Sequence, residues 1–302
     1  MKGAQMQSVT HYGASLIRAI TRGISAGSKR SMTLGDRSYR SRALLVGKAP
    51  QKNDHETWMD FVYAAALHAK SGVFVDVGAN IGQTLVKVLS IDPERRYLGF
   101  EPQLDCSFFV ETFIRDNGLR NHSILPVGLS NRSEIVELLK RAAETDTTAS
   151  AIQGFRPDGF YSSTQPIYVA RGDDVLSEFD LDDIAVIKID VEGGELEVVE
   201  GLERTVTAYR PFVFFEVLNH FLVATGADLD QKTIAFREGR NKKLEKILRD
   251  MKYSIFNILP HNGVTEIAEI RPTRSDDLQV TDYVAVPEEA KAAFLGLCPA
   301  RD

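Results

Sequence analysis

The segment Val73-Phe-Val-Asp-Val-Gly-Ala-Asn-Ile-Gly82 decides the fold. Its first five residues are apolar except for one Asp and predict a buried strand. The two glycines, Gly78 and Gly82, predict a sharp turn into a helix that begins near residue 81. A second β-rich run at residues 96–101 follows that helix, so the segment begins a βαβ unit. Because strands that alternate with helices form parallel sheets, the segment predicts an α/β fold.

The same alternation continues through residues 50–290 without an internal repeat or a Pro/Gly linker. We therefore predict one domain at residues 51–302, preceded by an extension at residues 1–50. Residues 140–165 show no periodicity and predict a long loop, which in a compact domain is usually functional or disordered. The predicted helices are 55–70, 81–91, 104–117, 173–179, 195–209 and 232–251, and the predicted strands are 73–77, 96–101, 123–127, 134–139, 185–190, 211–217, 253–258 and 282–286.

The composition excludes several classes of protein. Of the 302 residues, 43% are hydrophobic and 26% are charged, as in ordinary globular proteins. Apolar runs are strand-sized and far shorter than the roughly 18 residues of a membrane-spanning helix, which excludes a transmembrane protein. Cys106 and Cys298 are the only cysteines, so a disulfide framework or a thiolate zinc site is not expected. A reducing compartment, the cytoplasm, fits this cysteine usage best.

Residues 1–50 differ in charge from the rest of the chain. They hold nine Lys or Arg against one Asp, a net charge of +8, so the total of −6 leaves −14 on the other 252 residues. Apolar residues between positions 9 and 24 recur at helical spacing and predict a basic amphipathic helix. We expect it to pack on the main domain or on a second subunit of a homo-oligomer; membrane-surface and targeting roles are the alternatives. The acidic main domain is a poor partner for nucleic acid.

The turn at residues 78–82 also discriminates between cofactors. Ligands of open α/β sheets bind beyond the carboxyl ends of the strands, where Glu101 follows Gly78 by 23 positions. An acidic residue at that place can accept two hydrogen bonds from ribose hydroxyls. A dinucleotide fingerprint would need Gly at position 80, which is Asn80, so pyrophosphate is disfavoured. S-adenosylmethionine has a ribose and no phosphate, and Asp76 and backbone N–H groups suit its amino-acid end.

Five ordered motifs resemble the FkbM family of S-adenosylmethionine-dependent methyltransferases. They are VDVGANIGQT (75–84), FEP (100–102), VIKIDVEGGE (186–195), FFE (214–216) and DYVAVP (282–287). The resemblance implies a Rossmann-like class I methyltransferase fold, with a seven-stranded, mostly parallel sheet whose last strand is antiparallel. It also implies O-methylation of a hydroxyl, often on a sugar or a polyketide. By motif, Asp76, Gly78, Asn80 and Gly82 would hold the methionine end of the donor, Glu101 its ribose, and a turn at 128–131, beginning with Gly128, would lie near its adenine.

Charged residues also gather at the end of the predicted strand 185–190. Lys188, Asp190 and Glu192 alternate in sequence and share one face if the extended conformation persists to Glu192. Unpaired buried charges are costly, so we expect Lys188 to pair with Asp190 or Glu192, or a bound group to supply the counter-charge. The cluster is either a structural ion-pair network or part of the catalytic machinery. Two carboxylates could also hold Mg²⁺ through water, but no third ligand is evident, and we predict no metal.

Glu216 and His220 follow the predicted strand 211–217. A sugar-type hydroxyl is a poor nucleophile until its proton leaves, so an O-methyltransferase needs a general base at the acceptor. His220 has a suitable ordinary pKa, whereas Glu216 or Asp190 would need a pKa raised by burial. The expected catalytic set is therefore Asp190, Glu192, Glu216, His220 and Lys188.

The expected function is transfer of a methyl group from S-adenosylmethionine to a free hydroxyl of a small-molecule or glycan acceptor. Two alternatives share the fold. A cofactor-binding protein without catalysis would keep the turn at residues 78–82 and Glu101 but would not need the acids at 190, 192 and 216. A nicotinamide-dependent oxidoreductase conflicts with Asn80.

Overall fold

The structure, a computed structural model, describes residues 30–34, 37–41, 57–141, 148–156, 159–218, 221–222, 227–228, 230–259, 263–271 and 281–298. The helices are α1 (Thr57–Ala69), α2 (Gln83–Ile91), α3 (Leu104–Asp116), α4 (Gly172–Leu176), α5 (Glu195–Gly201), α6 (Glu203–Tyr209), α7 (Gln231–Asp250) and α8 (Lys291–Leu297). The strands are β1 (Arg30–Leu34), β2 (Arg37–Ser41), β3 (Val73–Val77), β4 (Tyr97–Phe100), β5 (His122–Leu125), β6 (Gly128–Ser130), β7 (Glu134–Lys140), β8 (Ser163–Arg171), β9 (Ile184–Ile189), β10 (Phe212–Glu216), β11 (Phe221–Leu222), β12 (Ala227–Asp228), β13 (Tyr253–Leu259), β14 (Gly263–Glu266) and β15 (Asp282–Pro287).

The central sheet has the strand order β14-β13-β15-β10-β9-β3-β4-β5. The five strands from β10 to β5 are parallel, and β15 runs antiparallel to β10. This arrangement confirms the predicted α/β fold and its antiparallel last strand. The seven predicted sheet strands are all present, and the short edge strand β14, which pairs with β13, adds an eighth.

Two apolar cores lie on opposite faces of this sheet, because successive side chains of a strand point to opposite sides. Phe74, Val186 and Phe214 belong to the core under α1, α2, α3 and α8. Val75 and Ile187 belong to the core under α4, α5, α6 and α7. Burial on both faces explains why these strands are continuous apolar runs in the sequence. Because the five strands from β10 to β5 are parallel, their carboxyl ends all lie at the same edge of the sheet, where the loops that follow them can form a site.

A second, three-stranded sheet has the order β6-β8-β7 and corrects two sequence expectations. The predicted loop at 140–165 is wrong at its end, because β8 begins at Ser163. The predicted turn at 128–131 is also wrong, because Gly128 begins β6 and pairs with Val169 of β8. Three polar residues and Pro166 open β8 and hide its alternation, so pairing with two neighbours, and not local propensity, determines this strand.

The described part of the N-terminal extension is the β1–β2 hairpin, which the sequence analysis did not predict. Its Leu34 and Tyr39 are buried against the main domain, and the Tyr39 ring stacks on Phe113 with centroids 6.2 Å apart. The amphipathic helix predicted between residues 9 and 24 lies outside the described residues. Among the helices that the structure describes, none combines the length and apolar character needed to cross a bilayer.

Candidate active site

The turn after β3 is built around a close approach of two backbones. Gly78 has φ +84°, and a Cβ at this position would lie 1.9 Å from the carbonyl oxygen of Asp190. Glycine is therefore required both by the left-handed conformation and by space. The turn ends at Gly82, which has φ +85° and precedes α2 without a side chain to cap the helix. Because Gly82 has no side chain, it cannot accept hydrogen bonds from the N–H groups that begin α2.

Glu101 lies between this turn and the end of β4. Only 4% of the residue is exposed, and its two carboxylate oxygens accept hydrogen bonds from the N–H groups of Asn80 (2.9 Å) and Gln103 (2.8 Å). Asn80 adopts φ +47°, a left-handed conformation that Asn tolerates better than most residues. Burial raises the pKa of Glu101 from 4.5 to about 7, although the two N–H donors oppose this shift. The strand end thus presents a fixed carboxylate with lone pairs to spare.

Asp76 is completely buried beneath the turn. Its Oδ2 accepts a hydrogen bond from the Tyr97 hydroxyl at 2.5 Å, and its Oδ1 lies 3.5 Å from Nζ of Lys188. Burial raises the pKa of Asp76, whereas the positive charge of Lys188 lowers it. Sequence reasoning missed Tyr97, because an aromatic residue at the start of a buried strand is indistinguishable from ordinary core. A direct contact of Asp76 with a donor stays a prediction.

Lys188 joins the turn to the acidic residues beyond β9. Its Nζ donates to Oδ2 of Asp190 (3.1 Å) and lies 3.4 Å from the carbonyl oxygen of Gly78. The expected pairing of Lys188 with Asp190 is confirmed. One ammonium group therefore contacts the buried Asp76, the turn and the half-exposed Asp190.

The sequence had suggested that Glu192 shares a strand face with Lys188 and Asp190. In the structure it does not. The strand ends at Ile189, and Glu192 adopts φ +52°, so the extended conformation does not persist. Its Oε2 instead pairs with Nη2 of Arg156 at 2.7 Å, with both side chains largely buried. Burial raises the pKa of Glu192 to about 7 even though Arg156 opposes this shift.

Glu216 ends β10 on the other side of the cluster. Its Oε1 accepts a hydrogen bond from the Thr281 hydroxyl at 3.1 Å. Burial, followed by the charges of Asp190 and Glu192, raises the pKa of Glu216 well above its ordinary value. One carboxylate oxygen from each of Asp190, Glu192 and Glu216 lies within 4.8 Å of the others. We call these three residues the acid cluster.

The acid cluster brings together three of the five expected catalytic residues, with Lys188 at its edge. Three carboxylates this close repel one another, so a proton or a cation between them is favoured. Their separations also suit the oxygen ligands of a divalent cation. The absence of a metal in the working enzyme stays a prediction. His220 lies outside the described residues, and its role as a base stays a prediction as well.

Gly128, the remaining residue that we expected to bind S-adenosylmethionine, lies beside the end of β4. A Cβ on Gly128 would lie 3.6 Å from Pro102, the residue that follows Glu101, and 2.9 Å from Val169. The glycine therefore allows β6 to pack closely against β8 and Pro102. Its contact with an adenine stays a prediction.

Residues that sequence reasoning missed hold the turn beyond β9. Glu195 is buried, and its Oε1 accepts hydrogen bonds from the N–H groups of Val191 (3.2 Å) and Gly193 (3.1 Å). Arg240 of α7 donates to the Gly193 carbonyl oxygen at 2.8 Å and pairs with Glu197. The acidic Glu195 directly after Gly193 and Gly194 is a pattern from which a residue that caps the turn could have been predicted. Arg156 and Arg240 lie 36 and 47 residues from their partners Glu192 and Gly193, and no local pattern indicated these contacts.

A comparison with known families identifies the chain. The family model for the methyltransferase FkbM domain matches residues 76–255, more than half of the sequence. The chain belongs to the FkbM methyltransferase family. The predicted family is thereby confirmed. No match was found among curated proteins.

Several solved structures are similar to this FkbM protein at low identity. An FkbM methyltransferase from Methylobacillus flagellatus is 18% identical, with 71% of this chain and 43% of that chain covered and a TM-score of 0.43. This chain thus spans less than half the length of that protein. An O-methyltransferase from Bacillus cereus, solved in complex with SAH, is 10% identical, with 91% and 90% covered and a TM-score of 0.43. A fibrillarin from Aeropyrum pernix with bound S-adenosyl-L-methionine is 12% identical, with 88% and 85% covered and a TM-score of 0.39.

Proposed function

We propose that this FkbM protein transfers a methyl group from S-adenosylmethionine to a hydroxyl of a small-molecule or glycan acceptor. The observation that carries the proposal is the junction at Gly78. The turn that offers a donor site and the acid cluster that offers an acceptor site touch there, and Lys188 contacts both. Donor and acceptor bound on the two sides would be neighbours, as an in-line displacement requires.

The donor side has features that fit S-adenosylmethionine. Glu101 keeps free lone pairs on a fixed carboxylate, which suits the two hydroxyls of a ribose. Gly78 and Gly82 let a ligand approach the backbone, and the start of α2 favours a carboxylate such as that of the methionine end. When bound, the donor supplies a methyl group activated by its sulfonium. We assign Asp76 a supporting role, through Tyr97 and Lys188, because it is completely buried.

The acceptor side needs a group that removes the proton of the attacking hydroxyl. Asp190 is our first choice, because its side chain is 40% exposed whereas that of Glu192 is 16% exposed. Lys188 provides the counter-charge for this carboxylate. Glu216 is the second choice, since its raised pKa makes it a stronger base when it is ionised. His220 is a third candidate from its position in the sequence.

The remaining alternatives make different use of the same residues. An oxidoreductase would need pyrophosphate beside position 80, where Asn80 places a side chain that accepts a hydrogen bond from the N–H of Ile81 (2.8 Å). A binding protein without catalysis would have no use for the raised pKa values of Glu192 and Glu216. We also propose that the reaction takes place in the cytoplasm, where the two free cysteines would persist.

The test is incubation of the protein with an extract of small metabolites and S-adenosylmethionine that carries an isotopically labelled methyl group. We expect mass spectrometry to find an acceptor that gains one labelled methyl, and an Asp190→Asn protein to produce much less of it. The methyl should be released from the product by reagents that cleave ethers and not by mild base, which cleaves esters. Binding of the donor without labelling of any metabolite would instead support the binding protein.

A further inference from the structure

Residues 148–156, here called the clamp segment, lie against the turn at residues 190–195. Phe155 is buried over Gly193, where a Cβ would come within 2.6 Å of the aromatic ring. A Cβ on Gly194 would lie 3.9 Å from Ile152 of the same segment. Because any side chain at position 193 would displace Phe155, the glycine makes room for the clamp segment.

Arg156 ends the clamp segment and makes its polar contact with the acid cluster. The Arg156 and Glu192 side chains are 12% and 16% exposed, and their charged groups are 2.7 Å apart. Glu192 holds a left-handed φ, a conformation that is unfavourable for a residue other than glycine and persists only where the surroundings impose it. Arg156 is the cation that the structure places on this carboxylate.

Further contacts tie Arg156 to the chain that follows. Its guanidinium lies 5.1 Å from the centroid of the Phe160 ring, which packs edge-on against Tyr161 at 4.9 Å. The Tyr161 hydroxyl donates to the carbonyl oxygen of Thr148, at the start of the clamp segment, at 3.1 Å. On the other side, the Phe155 carbonyl oxygen accepts a hydrogen bond from Nε of Arg237 at 2.9 Å. The residues on both sides of Arg156 are therefore held in place, and Arg156 is not a free surface charge.

We propose that Arg156 is a positioning residue for the acceptor, which holds Glu192 in the acid cluster and fixes the clamp segment as a wall of the acceptor site. This inference rests on the proposed function. The pair occupies Glu192, so Asp190 and Glu216 are the carboxylates left to face a hydroxyl. A neutral acceptor with several hydroxyls suits such a surface, and an acceptor with a phosphate or carboxylate beside the reacting hydroxyl is disfavoured.

The test compares Arg156→Met with Arg156→Lys in labelled methyl transfer to the metabolite extract, over a dilution series that separates kcat/KM from kcat. We expect Arg156→Met to lower kcat/KM for the acceptor at least tenfold, mostly through KM, and Arg156→Lys to recover part of the loss. The affinity for S-adenosylmethionine, measured by calorimetry, should change less than twofold. In a Glu192→Gln background, Arg156→Met should cost less than threefold, because the carboxylate that it positions is already gone.

Arg95 gives a matched control. It is 13% exposed, pairs with Asp92 and precedes β4, at the opposite edge of the sheet from the acid cluster. Arg95→Met should lower thermal stability without a selective change in acceptor KM. Equal losses of kcat/KM in Arg95→Met and Arg156→Met, or the full loss of Arg156→Met in the Glu192→Gln background, would overturn the proposal.

Limited proteolysis tests the same contact without turnover. Cleavage within residues 148–161 should be faster in Arg156→Met than in the unmodified protein or in Arg95→Met. An unchanged cleavage pattern would overturn the inference even if methyl transfer is observed. No labelled product from the unmodified protein, together with faster cleavage of Arg156→Met, would refute the proposed function and the acceptor role of Arg156, and leave the clamp contact itself established.

Discussion

The proposed donor side, around Glu101, and the proposed acceptor side, around the acid cluster, are built in different ways. On the donor side, Glu101 is fixed by the backbone N–H groups of Asn80 and Gln103, which lie 21 and 2 residues away in the sequence. On the acceptor side, Glu192 is held by an arginine 36 residues away and Glu216 by Thr281, 65 residues away. The backbone therefore shapes the donor side, and side-chain pairs assemble the acceptor side. A local motif can be kept while the long-range pairs change, which allows one cofactor to serve different acceptors.

The two sides also differ in how their carboxylates are compensated. Glu101 has two N–H donors, which lower its pKa against the effect of burial. Glu216 accepts a hydrogen bond from the Thr281 hydroxyl, and the neighbouring Asp190 and Glu192 add to the rise in its pKa that burial causes. The donor side is thus suited to hold a fixed group by hydrogen bonds. The acceptor side is suited to exchange a proton.

The sharpest way to separate the two sides is Asp190→Asn. We expect turnover to fall by about 10² to 10⁴, as for removal of a general base, while the affinity for S-adenosylmethionine stays near that of the unmodified protein. Labelled methyl transfer and calorimetry measure the two quantities. Asp183→Asn is the control, because Asp183 pairs with Lys70 at 2.7 Å and lies at the other end of β9.

This prediction also concerns metal. If the acid cluster works by accepting a proton, a chelator should leave turnover unchanged. Turnover that a chelator abolishes and Mg²⁺ restores would contradict a metal-free base and would make the acid cluster a metal centre. Full turnover in Asp190→Asn would shift the role of the base to Glu216 or His220.

The next largest effect is expected at Gly78, where the two sides touch. Gly78→Ala adds a Cβ that meets the Asp190 carbonyl oxygen, in addition to the cost of a left-handed alanine. We expect a loss of about 2–5 kcal/mol in the free energy of unfolding, measured by urea denaturation. Gly118 also has a positive φ, but among the described residues no atom beyond its two chain neighbours lies within 4 Å of its Cβ position, so Gly118→Ala should cost about 1–2 kcal/mol. Equal losses in the two variants would mean that the close approach at Gly78 does not exist.

A smaller effect is expected at Glu195, which caps the turn on the acceptor side. Burial raises its pKa from 4.5 to about 7, so folding favours its protonated form. The stabilisation is present below pH 4.5 and is lost as the pH rises through about 7. Glu195→Gln keeps an oxygen for the N–H groups of Val191 and Gly193 but does not ionise.

The stability difference between Glu195→Gln and the unmodified protein should therefore favour the variant more at pH 8 than at pH 5. Denaturation in urea at both pH values measures it. Glu178→Gln, at an exposed position, is the control. A difference that is the same at both pH values would show that Glu195 does not titrate in this range.

The donor side could be predicted from the sequence because its determinants are local. The glycines at 78 and 82, the buried run at 73–77 and an acid 23 positions after Gly78 were sufficient to place the turn and the strand end. The sheet was predictable for the same reason, since strands buried on both faces are continuous apolar runs. Strand β8 was missed because Pro166 and three polar residues obscure its alternation.

The acceptor side could be predicted only in part. The acids at 190, 192 and 216 were identified because they follow strands, and the strand order brings them together. The conformation of Glu192 was mispredicted, because its left-handed φ depends on tertiary contacts that no local pattern reveals. Arg156 stands in a stretch without periodicity, and its partner is distant in sequence. Long-range ion pairs of this kind have no signature in a single sequence.

Calorimetry with S-adenosylmethionine tests the central claim, that the donor binds at the turn with Glu101 on its ribose, most directly. The unmodified protein should bind S-adenosylmethionine and not NAD. Loss of a hydrogen bond to a charged group costs about 1.5–3 kcal/mol, so Glu101→Ala should weaken binding about tenfold or more. Glu111→Ala, an exposed change on α3, should leave the affinity unchanged. A protein that binds NAD in place of S-adenosylmethionine, or a folded Glu101→Ala variant that binds the donor as tightly as the unmodified protein, would contradict the account.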